Sequence, residues 1–142
     1  HISEDDSRIV YTNLHGGSRS TRDRLVPFCL FTDPEIARVG LNENEAVAAG
    51  RPYRVAKLRM QAVLRARTLS ETRGFMKALV SHDSDEILGF TAVGPHAGEV
   101  LAVAQTAMMG KLPYTVLRDA VFTHPTMAEG LGPLFGGVPA RT

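Results

Sequence analysis

Two residues near the carboxyl end, His124 and Glu129, have the side-chain types and the spacing that proton transfer requires. They lie in the segment HPTMAE, residues 124–129. Histidine can both take and return a proton near neutral pH. A carboxylate that is hydrogen-bonded to one ring nitrogen fixes the tautomer and leaves the other nitrogen free to act as the base. His124 and Glu129 are therefore a candidate catalytic acid/base pair.

The same segment also fits a purely structural role. Thr126 and Glu129 have the spacing of a capping box, in which the threonine oxygen accepts from the third backbone N–H and the glutamate reaches back to the cap. Such a cap contributes about 1 kcal/mol to stability. Pro125 would then only direct the chain into the helix, and His124 would be a neighbour without a role. Taken alone, the residues fit both interpretations, and the structural one is simpler.

The position of His124 directly before Pro125 restricts its backbone. A residue before proline is pushed away from the helical region toward an extended conformation. The bond between the two residues is also a candidate for the rare cis form, which would change the direction in which His124 points.

Other groups of reactive residues have simpler explanations. His82 and Asp83 lie in SHDSDE, where contiguous residues cannot form a catalytic triad and an exposed hairpin connection accounts for the cluster. The Gly-x-Gly of GLGPLF has no preceding strand and no third glycine. Cys29, the single cysteine, lies in the apolar run VPFCLF and is predicted to be a buried, inert thiol. We predict no metal site, and no nucleophile supports an unrelated hydrolase that uses His124 and Glu129.

Composition excludes several classes of partner. The 142 residues carry a net charge of +1, which gives no attraction to nucleic acid or to an anionic membrane surface. No apolar run is long enough to span a bilayer, and the polar start HISEDDSRIV is unlike a signal peptide. The start also lacks methionine, as expected of a fragment or domain. One cysteine and no secretion signal predict a reducing, cytoplasmic setting.

The chain changes in character at residue 26. Residues 1–25 include YTNLHGGSRSTRDR, which lacks apolar periodicity and predicts a linker or an arm. Beyond it, VPFCLFT and IARVGL predict two strands, and NENEAVAAG predicts a short helix with a capping box between Asn42 and Glu45. YRVAKLRM predicts a strand with one solvent-exposed face. GFMKALVS and EILGFTAVG predict a β-hairpin.

Helices follow the strands. Residues 97–111 predict a helix that is apolar nearly all round, and therefore one that is buried or pressed against a partner. PYTVLRDAVF predicts another short helix with Pro113 in its first turn. Strands followed by helices indicate an α+β fold, with helices packed on one face of a mostly antiparallel sheet.

Several blocks of this sequence resemble one family in the same order along the chain. HPTMAE resembles the His-Pro-Thr-x-Ser/Ala-Glu signature of the FAD-dependent pyridine nucleotide–disulfide oxidoreductases, which include glutathione reductase, dihydrolipoamide dehydrogenase and mercuric reductase. VPFCLFTDPEIARVGLNENEA resembles the segment that opens the family's C-terminal domain. GFMKALVSHDSDEILGFTAVGPHAGEVLAVAQTAMMGK resembles its central hairpin and long helix. The resemblance covers about residues 26–135.

The resemblance implies a division of the chain and a set of roles. Residues 26–142 would be the dimerisation domain, and residues 1–25 would be the linker or tail of a preceding flavin-binding region, including its last strand. The partner would be a second copy of the protein. His124 would be the acid/base for redox thiols or a dithiol in the partner subunit, oriented by Glu129. His124 and Pro125, joined by a cis bond, would line the partner's flavin site.

The resemblance also implies what this chain lacks. The family binds FAD and NAD(P)H through glycine-rich segments and uses a Cys-x-x-x-x-Cys pair, all upstream of this domain. We therefore expect this chain to bind no cofactor, and to be inactive without the domains that bind FAD and NAD(P)H.

The residues also help to choose a branch of the family. Mercuric reductases usually lack the histidine at the position of His124 and carry a pair of cysteines near the C-terminus. GGVPART contains no cysteine, which favours dithiol or disulfide chemistry, although EGL after the motif is more similar to the mercuric-reductase-like group. A non-catalytic homodimerisation module with the same fold is the alternative. The substrate and the choice between NADH and NADPH stay open.

Overall fold

A single antiparallel sheet organises residues 1–141, the part of the chain that the computed structural model describes. The strands lie in the order β1-β2-β5-β4-β3, and every neighbouring pair is antiparallel. Their bounds are β1 Phe28–Leu30, β2 Ile36–Gly40, β3 Tyr53–Arg59, β4 Phe75–Ser81 and β5 Ile87–Val93. All five predicted strands are present, and the predicted hairpin forms the β4–β5 pair at the centre of the sheet.

The helices that cover the main core lie on one face of this sheet. The helices are α1 Ile2–Leu14, α2 Glu43–Ala48, α3 Leu64–Thr68, α4 Ala97–Met109, α5 Tyr114–Asp119 and α6 Leu131–Gly136, with 3₁₀ turns at Met60–Ala62 and Ala128–Gly130. Helix α4 packs on β5 and β2, while α6 packs on β3 and β4 and against α5. The predicted α+β fold is confirmed.

The alternation of side chains along β4 explains how both faces of the sheet are used. Met76, Ala78 and Val80 point into the main core beneath α4 and α6. Leu79 points the other way, and packs with Ala46 of α2 in a second, smaller cluster. Short α2 therefore covers one end of the opposite face.

The second cluster corrects one detail of β3. The sequence predicts a strand with one solvent-exposed face, but Tyr53 and Val55 on that face are half-buried against the cluster beside α2. Lys57 and Arg59, further along the same face, are exposed. The other face of β3 contributes Ala56 and Leu58 to the main core.

Helix α2 begins as the sequence predicts. The N–H of Glu45 donates to Oδ1 of Asn42 at 2.8 Å, and the N–H of Asn42 donates to Oε2 of Glu45 at 2.9 Å. Both halves of the capping box are therefore formed. Gly50 follows the helix with φ +61°, a conformation that glycine adopts at low cost.

The N-terminal segment differs from its prediction. Residues 2–14 form helix α1, where the sequence predicted a linker or an arm and the resemblance implied the last strand of a preceding flavin-binding region. Charge pairs hold this helix: Arg24 donates to Oδ2 of Asp5 at 3.0 Å and to Oδ1 of Asp6 at 2.6 Å. The hydrogen bond from Arg24 lowers the pKa of Asp5. The prediction relied on apolar periodicity, but acidic residues that pair with a distant arginine stabilise this segment.

Within residues 1–141, no helix combines the length and the apolar character that are needed to cross a membrane.

The core position of Phe90 generates a stability prediction. Phe90 is 1% exposed in β5, whereas Phe31 is 85% exposed just beyond β1. Phe90→Ala should lower the free energy of unfolding by about 3–5 kcal/mol, because it leaves a cavity between the sheet and the helices. Phe31→Ala makes the same chemical change at the surface, and should stay within about 0.5 kcal/mol. Urea unfolding checks both values, and equal losses in the two variants would contradict this description of the core.

Candidate functional site

His124 and Glu129 contact each other in the loop between α5 and α6. Nδ1 of His124 lies 2.7 Å from Oε2 of Glu129, a distance typical of a charge-assisted hydrogen bond. His124 lies in the irregular segment 120–127, and Glu129 lies in the 3₁₀ turn Ala128–Gly130. The structure therefore brings together the two residues that the sequence singles out.

The chemistry of this contact determines the tautomer of the neutral histidine. An ionised carboxylate only accepts hydrogen bonds, so Nδ1 of His124 must carry the proton that it donates to Glu129. Nε2 is then the nitrogen with a free lone pair. Within residues 1–141 it has no hydrogen-bond partner, and the His124 side chain is 66% exposed while that of Glu129 is 21% exposed. The arrangement presents a basic nitrogen to whatever lies in front of this loop.

The backbone at the site contains the cis peptide bond for which the His-Pro sequence is a candidate. The His124–Pro125 peptide bond is cis, as is Asp33–Pro34 elsewhere in the chain. A cis bond brings successive Cα atoms to about 2.9 Å of each other, which makes a tight corner at this point of the loop. Both His124 and Pro125 are exposed.

Thr126 provides half of a capping box. Its hydroxyl oxygen accepts from the N–H of Glu129 at 3.3 Å, and its hydroxyl hydrogen is donated to the carbonyl of Thr123 at 2.6 Å. The carboxylate of Glu129, which would close the box in a purely structural cap, instead accepts from His124. The capped turn and the His124–Glu129 pair therefore exist together, and the two interpretations of HPTMAE do not exclude each other.

The turn that carries Glu129 is anchored in the core on both sides. Met127 is 5% exposed and Leu131 is fully buried. Gly130 lies so close to the sheet that a Cβ atom there would be 3.0 Å from Cγ2 of Val63 and 3.2 Å from Cε of Met76. A larger residue would require the side chains of Val63 or Met76 to shift by a few tenths of an ångström, so glycine allows this close approach of the turn to the core.

The other residues considered from the sequence do not join this site. His82 and Asp83 contact each other at 2.9 Å in the exposed β4–β5 connection. GLGPLF forms α6 and the turn before it, with no strand that could support a phosphate loop. Among residues 1–141, no three His, Cys, Asp or Glu side chains converge as ligands for a metal ion.

Cys29 is less buried than the sequence predicts. It is half-buried in the edge strand β1, and its Sγ faces Gly98 of α4. Burial, together with the nearby carboxylate of Glu35, raises the pKa of the thiol. Because the thiolate is the reactive form, Cys29 is a poor nucleophile at neutral pH, as expected of an inert thiol.

A cavity of about 260 Å³ borders the site and is not evident from the sequence. Its lining combines Pro125 and Thr126 with Arg65 of α3, and with His96 and Glu99 at the start of α4. Short α3 has no strong sequence signal, and the sequence indicated only a loop residue at His96. His96 has φ +56° and lies directly before α4.

The antiparallel sheet, the helices on one face and the His-Pro-Thr loop together define an α+β interface domain of the disulfide-reductase type. Residues 26–134 match the family model of the pyridine nucleotide-disulphide oxidoreductase dimerisation domain. The chain belongs to this family.

Its relatives include an oxidoreductase, a dehydrogenase and a reductase. The probable pyridine nucleotide-disulfide oxidoreductase RclA of Escherichia coli K12 is 41% identical over 137 residues, which are 95% of this chain and 31% of the relative. Dihydrolipoyl dehydrogenase of Bacillus subtilis 168 is 32% identical over 93% of the chain and 28% of the relative. Mercuric reductase of Shigella flexneri is 36% identical over 84% of the chain and 21% of the relative.

A solved structure shows the same fold. The HOCl-induced flavoprotein disulfide reductase RclA from Escherichia coli superposes with a TM-score of 0.87 and 40% identity over 93% of this chain. The match takes up 31% of that structure. The chain therefore spans less than a third of the length of these relatives.

Proposed function

We propose that this chain is the dimerisation domain of a longer disulfide oxidoreductase that uses FAD and NAD(P)H, and that His124 and Glu129 act in the partner subunit's active site. The observation that carries the proposal is the 2.7 Å contact between Nδ1 of His124 and Oε2 of Glu129, with Nε2 free and the ring largely exposed. A base that faces outward from its own domain needs a second surface to supply the reacting groups.

The proposed role of the pair is proton transfer to and from sulfur. His124 takes the proton of a thiol through Nε2 and returns it when the disulfide is reduced. Glu129 holds the proton on Nδ1, stabilises the charged ring that forms, and prevents rotation of the ring. Cys29 does not supply the reacting thiol, because its pKa is raised and it lies in β1, away from this loop.

The residues present fit one contact with a flavin rather than a complete flavin site. FAD, when bound, passes reducing equivalents from NAD(P)H to a disulfide. Exposed His124 and Pro125 can lie against the flavin of the partner subunit. The glycine-rich turn between strand and helix that binds a dinucleotide phosphate is not formed within residues 1–141, so the cofactor-binding domains would lie elsewhere in the protein. Without those domains the chain should have no activity.

The residues favour a dithiol or disulfide as the substrate over mercuric ion. His124 provides an acid/base suited to sulfur, and its contact with Glu129 fixes the nitrogen that would take the proton. Preferential reduction of Hg(II) by the full-length flavoprotein would contradict this assignment.

We propose a homodimer, and the exposed apolar side chains before the site support it. Four of them lie in the stretch 109–121, which leads from the end of α4 to the His124 loop: Met109, Leu112, Val116 and Val121. Exposed apolar groups concentrated in one region mark interaction surfaces. A subunit interface at this stretch would bring His124 against the second subunit.

Charge placed in that stretch should weaken the dimer. Val121→Glu puts a carboxylate at a side chain that is fully exposed in the single chain, and it should lower the dimer affinity by at least about tenfold because the charge would lose water in the interface. Val47→Glu makes the same change on α2, at a side chain that is 69% exposed, and should have no effect. Sedimentation velocity measures both. A wild-type chain that is monomeric at micromolar concentration, or equal effects of the two variants, would contradict the proposed interface.

The acid/base role generates a kinetic prediction. In the full-length flavoprotein, His124→Ala should slow the reaction with the dithiol by about 10²–10⁴-fold, which is the contribution of a positioned acid/base. His82→Ala is the matched control, because His82 also contacts a carboxylate, that of Asp83, but in the β4–β5 connection. Stopped-flow measurement of the flavin absorbance separates the dithiol reaction from the NAD(P)H reaction.

Two outcomes would support the alternative, a non-catalytic homodimerisation module. One is unchanged dithiol turnover in the His124→Ala variant. The other is a native polypeptide whose N-terminus lies near His1, which mass spectrometry of the protein from its own cells would show. In that case Thr126 would only cap the turn before α6, and Glu129 would have no catalytic partner.

A further inference from the structure

The structure assigns Thr126 as the positioning residue of the His124–Glu129 pair. This inference rests on the proposed function for its importance, but not for its test. The threonine hydroxyl donates to the carbonyl of Thr123, the residue before His124, and it accepts from the N–H of Glu129. It therefore connects the two ends of the short loop that must bring the two side chains together.

The hydrogen bond to Thr123 restrains the position of His124 in the loop. At 2.6 Å, the hydroxyl of Thr126 holds the carbonyl of Thr123 across the two residues His124 and Pro125. Thr123, His124 and Pro125 are exposed, and the described neighbours bury none of them. This hydrogen bond is thus a local restraint on a corner that packing does not hold.

The bond to Glu129 fixes the backbone of the glutamate. The first N–H groups of a helical turn need acceptors, and a side chain at the third position commonly reaches back to provide one. Thr126 accepts from the N–H of Glu129 at 3.3 Å, as Asn42 accepts from the N–H of Glu45 at the start of α2. The two turns differ in the carboxylate, because that of Glu45 accepts from the N–H of Asn42 whereas that of Glu129 accepts from His124.

Two competing positions of the Glu129 carboxylate follow from this comparison. In one it accepts from Nδ1 of His124, as observed. In the other it turns back toward the free backbone N–H groups at the start of the turn, as Glu45 does in α2. The threonine hydroxyl favours the first position, because its bonds to the carbonyl of Thr123 and to the N–H of Glu129 keep the two ends of the loop together. Without these bonds the His124 ring moves out of reach, the carboxylate accepts from the backbone instead, and the histidine is left without an acceptor at Nδ1.

The substitution Thr126→Val tests the inference because it replaces the hydroxyl by a methyl group of similar size. The chain is labelled with ¹⁵N in its histidine rings, and the signals of His124 are assigned by comparison with the His124→Ala variant. In the wild type, the neutral ring should show the tautomer with the proton on Nδ1. In Thr126→Val this tautomer should be lost, as it should be in Glu129→Ala. Thr126→Ser keeps the hydroxyl and should restore it.

The controls separate positioning from folding. Backbone amide signals of the sheet should be the same in all variants, and the ring signals of His82 should not move. A crystal structure of Thr126→Val in the full-length protein gives a second measurement, with the distance from Nδ1 of His124 to Oε2 of Glu129 expected to exceed 3.5 Å. Retention of the Nδ1–H tautomer, or of the 2.7 Å contact, in Thr126→Val would overturn the inference.

Kinetics distinguish failure of this inference from failure of the proposed function. If Thr126→Val loses the tautomer and also slows the dithiol reaction, with rescue by Thr126→Ser, both hold. If the tautomer is unchanged in Thr126→Val while His124→Ala still abolishes dithiol turnover, the inference is wrong and the proposed function stands. If the tautomer is lost but neither His124→Ala nor Thr126→Val affects turnover, Thr126 positions the pair and the acid/base proposal is wrong.

Discussion

The hydrogen bond between His124 and Glu129 joins an exposed side chain to one that is fixed by the core, and this asymmetry is the constraint on which the site depends. A base that must meet groups of another surface has to be exposed, yet an exposed imidazole rotates freely. Glu129 removes that freedom because its backbone belongs to a turn between buried Met127 and buried Leu131. The contact thereby transmits the rigidity of the core to a ring that lies outside it.

The rest of the fold can be understood as support for this turn. Helix α6 packs on β3 and β4 directly after it, and the close approach at Gly130 places it against the sheet. Helix α4 covers the rest of the same sheet face and contributes its buried side chains to the main core. Nothing within residues 1–141 builds a cavity around Nε2 of His124, which is why we propose that the site is completed by the partner subunit.

Much of this arrangement could be predicted from the sequence where local rules act. The alternating strands and the box of Asn42 with Glu45 follow from neighbouring residues, and they are confirmed. Helix α1 is not predicted because its sequence has no clear apolar pattern, and the pairing of its acidic side chains with Arg24 involves a residue ten positions beyond its end. The spacing of Thr126 and Glu129 shows that a cap is possible, but it cannot show from which donor, the backbone N–H or the His124 ring, the carboxylate accepts. That choice depends on the path of the loop at His124.

The central claim, that His124 acts in the other subunit, is tested most directly by hybrid dimers of the full-length protein. One subunit carries His124→Ala and the other lacks its redox cysteines, so that each homodimer is inactive. If the pair acts across the interface, a hybrid dimer has one complete site, and a random one-to-one mixture should recover about a quarter of the wild-type dithiol activity. If His124 serves its own subunit, or has no catalytic role, the mixture will show no more activity than the average of the two parents.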